Sequence, residues 1–88
     1  MTESVRVWLV EREVDSRNLV TLTYATPDGE RLYRRQQSAA VMAGGGIEAT
    51  AARDVDPGDL EPVEDADRER YAAEAARMAG SHGPDEPV

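Results

Sequence analysis

The stretch TPDGE, residues 26–30, restricts the fold more than any other part of the chain. Pro27 presets the backbone at the first turn position, Asp28 suits the second, and Gly29 accepts a left-handed conformation. The segments on either side, NLVTLTYA and RLYRRQQ, are rich in the β-branched and aromatic residues typical of strands. The pattern therefore predicts an antiparallel hairpin.

The expected register of this hairpin pairs Thr26 with Glu30, which places Tyr24 opposite Leu32. A further strand is predicted before the hairpin, because SVRVWLVEREV alternates imperfectly between apolar and polar positions. Both faces of that strand are partly apolar. One face carries Val5, Val7 and Leu9, and the other carries Trp8, Val10 and Val14.

After the hairpin, turn signals alternate with regular structure. Ser38 can cap a short helical turn, AAVMA, which the glycines at 44–46 would end. The next segment, IEATAARDV, resumes an extended pattern and is predicted to be a fourth strand, although its alanines also tolerate a helix. The segment DPGDLEPV is expected to be a loop, with Leu60 and Val63 pinning it to the core.

The last element is an alanine-rich helix. It is predicted from Asp65, the expected N-cap, to Ala79, because this segment is dense in strong helix formers and is followed by Gly80. The side chains that recur at helical spacing would face the sheet. They are Tyr71, Ala75 and Met78.

These elements predict a small α+β protein: a mostly antiparallel sheet in the order β-β-β-short α-β-α, covered on one face by the C-terminal helix. Residues 1–79 are expected to form a single domain. Residues 80–88 are expected to be a disordered acidic tail, because they are mainly Gly, Pro, Ser and acidic residues.

Charge is distributed unevenly along the chain. Residues 1–53 carry seven acidic residues and seven arginines, whereas residues 54–88 carry eleven acidic residues and three arginines, which accounts for the net charge of −8. The chain contains no lysine. A neutral front half and an acidic back half either face one another or face different partners; in so short a chain the first is favoured.

The residue types that support catalysis are scarce. The chain has no cysteine, and its single histidine, His82, lies in the predicted tail. Asp54, Asp56 and Asp59 lack the spacing of a calcium loop, and a carboxylate pair at Glu11 and Glu13 would more readily meet arginines. We therefore expect a protein that is not an enzyme and has no cofactor or metal site.

The start of the chain lacks the features of a signal peptide, and no apolar run approaches the ~20 residues that span a bilayer. A cytoplasmic protein that does not contact membranes is expected. The glycines at 44–46 are not followed by a helix start with a lysine, so they favour a flexible corner over a nucleotide-binding loop.

Abundant acidic residues and a lysine-free set of arginines are similar to the protein composition of extreme halophiles. The segments VWLVERE, TPDGE, DPGDLEPVED and RERYAAEAARMA together resemble a family of short, uncharacterised haloarchaeal proteins. The resemblance covers nearly the whole chain. It implies a salt-adapted cytoplasmic protein with no assigned activity.

Two functional hypotheses follow. The first is a noncatalytic interaction module, a homodimer or the partner of a small protein, because one helix covers only one face of a sheet and leaves apolar residues of the first strand to be covered. The candidates for covering them are the short AAVMA turn and a second copy of the chain. Its interface would be formed by Val5, Val7, Leu9 and Trp8.

The alternative is a nucleic-acid-associated regulator. Arg31, Tyr33 and Arg35 share one strand face, where guanidinium groups meet phosphates and a base stacks on the tyrosine. A simpler interpretation pairs these arginines with Glu11, Glu13 or the acidic helix. The sequence favours this simpler interpretation, and with it the interaction module.

Overall fold

The computed structural model describes residues 3–38 and 50–88. The described elements are five strands of one antiparallel sheet and a C-terminal helix that packs against it, which confirms the predicted small α+β fold. They are β1 (Val5–Val14), β2 (Leu19–Ala25), β3 (Arg31–Ser38), β4 (Ala52–Val55), a 3-10 turn (Pro57–Asp59), β5 (Glu61–Pro62) and α1 (Asp65–Ser81).

The strands form one antiparallel sheet in the order β4-β1-β2-β3-β5. We call the face that α1 covers the helix face. There Ala75 of α1 packs in one cluster with Trp8, and Tyr71 packs in another with Ala25 and Leu32. The opposite face holds a separate cluster, made of Val7, Leu9, Val20, Leu22, Tyr24 and Val55. Apolar side chains of β1 are therefore buried on both faces.

The turn of the β2–β3 hairpin has the predicted glycine conformation but a different register. Gly29 has a φ of 74°, and its amide donates to the Thr26 carbonyl at 2.8 Å. The strands pair so that the Thr26 amide donates to the Arg31 carbonyl, and Tyr24 lies opposite Tyr33. The predicted pairing of Thr26 with Glu30 was therefore one residue out of register, because the loop uses one more residue than a simple turn.

Strand β1 contains a bulge between Leu9 and Glu11. A bulge places an extra residue in one strand, so the side chains after it exchange faces relative to a regular strand. Val14 was predicted to share a face with Trp8; instead it pairs with Val20, on the face of Val7, and is 61% exposed. Arg12 moves to the same face, opposite Leu22.

Helix α1 begins at Asp65, as predicted, and its N-cap residue is Glu64 rather than Asp65. It ends at Ser81, two residues beyond the predicted end, with Gly80 inside the last turn. Its predicted buried stripe is confirmed: Tyr71 and Ala75 are buried, and Met78 packs against the core as a half-buried residue.

The last six residues, which we call the closing segment (residues 83–88), lie against the start of β4. The amides of Ala51 and Ala52 donate to the carbonyls of Glu86 and Pro84, at 2.9 and 3.0 Å. The structure thus differs from the predicted disordered tail. Composition alone suggested disorder, but these backbone bonds and the packing of Val88 against the core hold the segment in place.

The predicted loop over residues 56–63 contains the 3-10 turn and the two-residue strand β5. Val63 is buried and Leu60 packs on the core, as predicted. The predicted fourth strand is found over Ala52–Val55. The predicted helical turn AAVMA, the glycines at 44–46 and the start of that strand lie outside the described residues.

The Asp28 carboxylate of the hairpin turn gives a pH-dependent prediction. It accepts hydrogen bonds from the Thr26 hydroxyl and the Glu30 amide, and these bonds lower its pKa. A lowered folded-state pKa contributes stability that is complete above the unfolded-state pKa and is lost as the pH falls through the folded-state pKa. We expect the urea midpoint of the wild-type protein to decrease as the pH is lowered below about 4. This decrease should be smaller for Asp28→Asn.

Urea unfolding followed by the fluorescence of the single tryptophan, Trp8, measures both midpoints. Asp59→Asn is the control, because the Asp59 carboxylate makes no hydrogen bond or ion pair with the rest of residues 3–38 and 50–88. Equal loss of stability in acid for Asp28→Asn and the wild type would contradict the assignment.

Candidate anion-binding site

The two faces of the sheet differ in charge. Paired residues of antiparallel strands share a face, so the register assigns every strand residue to one side. On the face opposite α1, the described strands carry four arginines and no acidic residue. We call it the arginine face. The four are Arg12, Arg31, Arg35 and Arg53.

None of these four guanidinium groups forms an ion pair with a side-chain carboxylate of residues 3–38 or 50–88. Arg12 donates to the Val88 carbonyl at 2.8 Å. With the oxygen of its side-chain amide oriented towards Arg35, Gln37 accepts hydrogen bonds from Arg35 Nε at 2.6 Å and from Arg35 Nη2 at 3.0 Å. Arg35 and Arg53 are half-buried, and neither forms an ion pair with a side-chain carboxylate of the described residues.

The Tyr24 ring lies at the centre of this group. It is fully buried, and its hydroxyl donates to the Thr50 carbonyl at 3.1 Å. Burial raises the pKa of Tyr24, and three positive charges nearby act against that rise. The charges belong to Arg53, Arg35 and Arg12. Three of the four arginines therefore surround one buried phenol.

Tyr33 extends the arginine face along β3, between Arg31 and Arg35. Its ring is half-buried and lies 6.3 Å from the Tyr24 ring, at 51°. The structure therefore places all three residues of the sequence hypothesis on one face. It offers one partly accessible ring there, since Tyr24 is enclosed.

Arg31 stands beside a shallow cleft of about 420 Å³ at the β5 edge of the sheet. A second arginine, Arg68 of α1, lines the same cleft. Its charge is already used, because it pairs with Asp65 at 3.0 Å and also donates to the Val63 carbonyl. Arg31 forms no ion pair with a side-chain carboxylate of the described residues, although Glu30 lines the same cleft.

On the helix face, by contrast, arginine and carboxylate are paired. Arg6 pairs with Asp54 at 3.0 Å and Arg34 with Glu61 at 3.9 Å. The predicted pairing of Arg31 and Arg35 with Glu11, Glu13 or the helix is not seen. The partners of Glu11 are on α1: the Tyr71 hydroxyl donates to it at 3.1 Å, and Arg70 lies 3.5 Å away.

Burial of Tyr71, together with the Glu11 carboxylate, raises the pKa of that phenol. The Arg70 guanidinium lies over the same ring, 4.8 Å from its centroid. These contacts bind α1 to β1, so the Glu11 carboxylate is used inside the fold.

The predicted interface residues are mostly buried within the chain itself. Val7, Leu9 and Trp8 are 0, 7 and 9% exposed, and Val5 is half-buried against the core. The prediction treated one face of β1 as uncovered. The burial of Trp8 has a specific cause: α1 lies over it, with Ala75, Ala51 and Ala52 in the same cluster.

The family model for a family of unknown function, DUF7967, matches residues 1–88. The chain belongs to the DUF7967 family. No curated protein and no solved structure matches it. Membership agrees with the predicted resemblance to an uncharacterised family, and it carries no activity with it. No helix within the described part of this family member is long and apolar enough to cross a membrane.

Two of the three aspartates weighed as calcium ligands from the sequence make other contacts in this DUF7967 protein. Asp54 pairs with Arg6, and Asp56 accepts from the Gly58 amide at 2.8 Å, which caps the 3-10 turn. Within residues 3–38 and 50–88, no group of three or more histidine or acidic side chains is placed to hold a metal ion. The arginine face, by contrast, holds four arginines that form no ion pair with a side-chain carboxylate of these residues.

Sequence reasoning missed two of its members. Arg12 lies on this face only because of the bulge in β1, and Arg53 lies there because Val7 pairs with it across β4. The alternation of β1 taken alone placed Arg12 on the other side. No sequence signal marks the bulge, whereas the position of Arg53 follows once β4 is paired with β1.

Proposed function

We propose that this protein is a noncatalytic binding module, and that its arginine face takes single-stranded nucleic acid. The supporting observation is that the strands of this face carry four arginines, no acidic residue and no ion pair to a side-chain carboxylate within the described residues. Guanidinium groups bind phosphate with two parallel hydrogen bonds, and half-buried ones gain most from an anion. We propose the cytoplasm as the compartment in which the protein meets the nucleic acid, in line with the expectation from its sequence.

Phosphate contacts would supply most of the affinity. A single-strand binder usually stacks several bases on aromatic side chains, and here Tyr33 is the accessible ring among the described residues. Tyr24, Tyr71 and Trp8 are buried and cannot stack. The module therefore resembles an electrostatic binder with one stacking position, and weak sequence preference is expected.

A net charge of −8 does not oppose this function at short range. At physiological salt, exposed charges more than about 8 Å apart are largely screened. The acidic residues of the sheet lie on the helix face, so the sheet itself separates them from a strand bound on the other side. Local charge, rather than total charge, then governs the contact.

The salt dependence of binding tests the proposal. With about four phosphate contacts and a slope near −0.7 per contact, the Kd for a single strand should rise roughly 50-fold between about 0.05 and 0.2 M salt. Arg35→Glu should weaken binding about 10-fold at the lower salt and flatten the slope by about 0.7. Fluorescence anisotropy with labelled poly-U and poly-dT measures both quantities.

Arg34→Glu is a matched control. It makes the same change in net charge on the neighbouring residue of the same strand, but it lies on the helix face beside Glu61. It should leave the affinity within about 2-fold of the wild type. Equal losses for both variants, or no binding at low salt, would show that the arginine face is not a nucleic-acid site.

A further inference from the structure

The closing segment occupies a site with three kinds of contact. Ala51 and Ala52 offer amide donors at the edge of the sheet, which bond the Glu86 and Pro84 carbonyls. Thr50 and Pro87 form an antiparallel bridge. Backbone pairing of this kind is how sheet edges accept added peptides.

The end of the segment is held by a side chain and an apolar hollow. The Arg12 guanidinium donates to the Val88 carbonyl at 2.8 Å. Val88 is half-buried and, with Leu9, Val10 and Met78, lines an open hollow of about 280 Å³. Glu11 and Glu74 line the same hollow.

The charges of the site suit an acidic segment. Asp54 is the main cause of the raised pKa of Arg6, and the Asp85 carboxylate adds to the rise. Arg12 has no side-chain carboxylate partner within the described residues. Two guanidinium groups thus flank a segment whose exposed acidic side chains are Asp85 and Glu86.

The segment is attached to α1 through a short hinge. At its start, Gly83 is exposed, and a methyl group there would meet no atom within 4 Å. Within the segment, side-chain burial is limited to the partial burial of Pro84 and Val88. Few buried contacts and an open hinge are typical of segments that detach from a fold at low cost.

From these contacts we infer that the edge at residues 50–52, the Arg12 guanidinium and the hollow beside Val88 form a peptide-binding groove, and that the groove also takes the closing segment of a second copy of this chain. The second copy presents the same carbonyls, the same acidic side chains and the same valine. Exchange between copies is the ordinary low-cost route from such an attachment to a dimer. The groove shares Arg12 with the arginine face, but its test needs no nucleic acid, so the two proposals can fail separately.

Binding of the closing segment in the groove of a second copy competes with its binding in the groove of its own chain. A tethered segment has an effective concentration in the millimolar range, so pairs of copies become populated only as the protein concentration approaches it. Molar salt favours the pairs, because it screens the repulsion between two chains of net charge −8. Nucleic-acid binding has the opposite salt dependence.

Disulfide trapping tests the groove, because the chain contains no natural cysteine. Thr50→Cys in one copy and Pro87→Cys in another place two thiols at a bridged pair, whose spacing suits a disulfide. In an equal mixture under oxidising glutathione at about 1 mM protein, we expect the mixed disulfide to form at least about 10-fold faster than with Val14→Cys in place of Thr50→Cys. Val14 is an exposed residue elsewhere on β1.

The double variant Thr50→Cys/Pro87→Cys provides the check on folding: a disulfide within one chain shows that the groove holds the segment when both changes are present. Excess synthetic peptide SHGPDEPV, residues 81–88, should then slow the mixed disulfide several-fold. A mixed disulfide that forms no faster than the Val14→Cys control, or that the peptide does not slow, would overturn the inference.

Discussion

Trp8→Ala is expected to lower the free energy of unfolding by about 3–5 kcal/mol. Trp8 is 9% exposed and packs against Ala51, Ala52 and Ala75, so its removal leaves a cavity between β1, β4 and α1. The surrounding alanines are too small to fill it. Urea unfolding followed by far-UV circular dichroism measures the change without depending on tryptophan fluorescence.

Val14→Ala is the matched control from the same strand. Val14 is 61% exposed, and its truncation should change stability by less than about 0.5 kcal/mol. The pair of variants separates the two roles considered for Trp8. A Trp8→Ala protein that kept its stability and lost only self-association would show that Trp8 is an interface residue, which would contradict its assignment to the core.

Gly29→Ala is expected to cost about 3 kcal/mol, from two causes. The left-handed φ of 74° is costly for a residue with a side chain, by roughly 1–2 kcal/mol. In addition, a methyl group would lie 2.8 Å from the Ala72 amide nitrogen and closer still to the Arg68 carbonyl. Both are backbone atoms of α1, so relief requires the hairpin and the helix to separate.

Gly80→Ala controls for the general effect of replacing glycine. A methyl group at Gly80 meets no atom within 4 Å, and the residue is helical, so this variant should be unchanged or up to about 1 kcal/mol more stable. Tryptophan fluorescence during urea unfolding measures both variants. A Gly29→Ala protein with the wild-type midpoint would mean that the turn does not touch α1 as described.

Turn chemistry and helix propensity made part of the fold predictable from sequence. The residues of TPDGE supply local signals for a left-handed glycine, and the run before Gly80 supplies strong helix formers with an apolar stripe. Each signal depends on near neighbours in the chain. The sequence therefore indicated the hairpin, the helix and the α+β class.

Strand register was not predictable, because a single extra residue in a loop or a strand changes which residues pair and which face each side chain occupies. The hairpin loop holds one residue more than expected, and this places Arg31, Tyr33 and Arg35 beside Tyr24 instead of beside the threonines of β2. The bulge in β1 has the same kind of effect on Arg12. The arginine face depends on both the hairpin register and the bulge in β1, so the alternation of a single strand could not reveal it.

The closing segment shows a second reason why part of the fold could not be predicted from the sequence. Its composition is that of a disordered tail, and local signals contain no information on distant partners. Its partners Ala51 and Ala52 are 35 and 32 residues away in the chain, and Arg12 is 76 residues away. Tertiary hydrogen bonds overcame a local preference that was read correctly.

The division of charge between the two faces also bears on how the molecule behaves on charged supports. At neutral pH, a sequence pI near 4.5 suggests retention by an anion exchanger alone. A surface with four cationic side chains and no acid among its strand residues can nevertheless adhere to a sulfonated resin, with the rest of the molecule turned outward. The protein should therefore be retained, in low salt, by both types of column, and in opposite orientations.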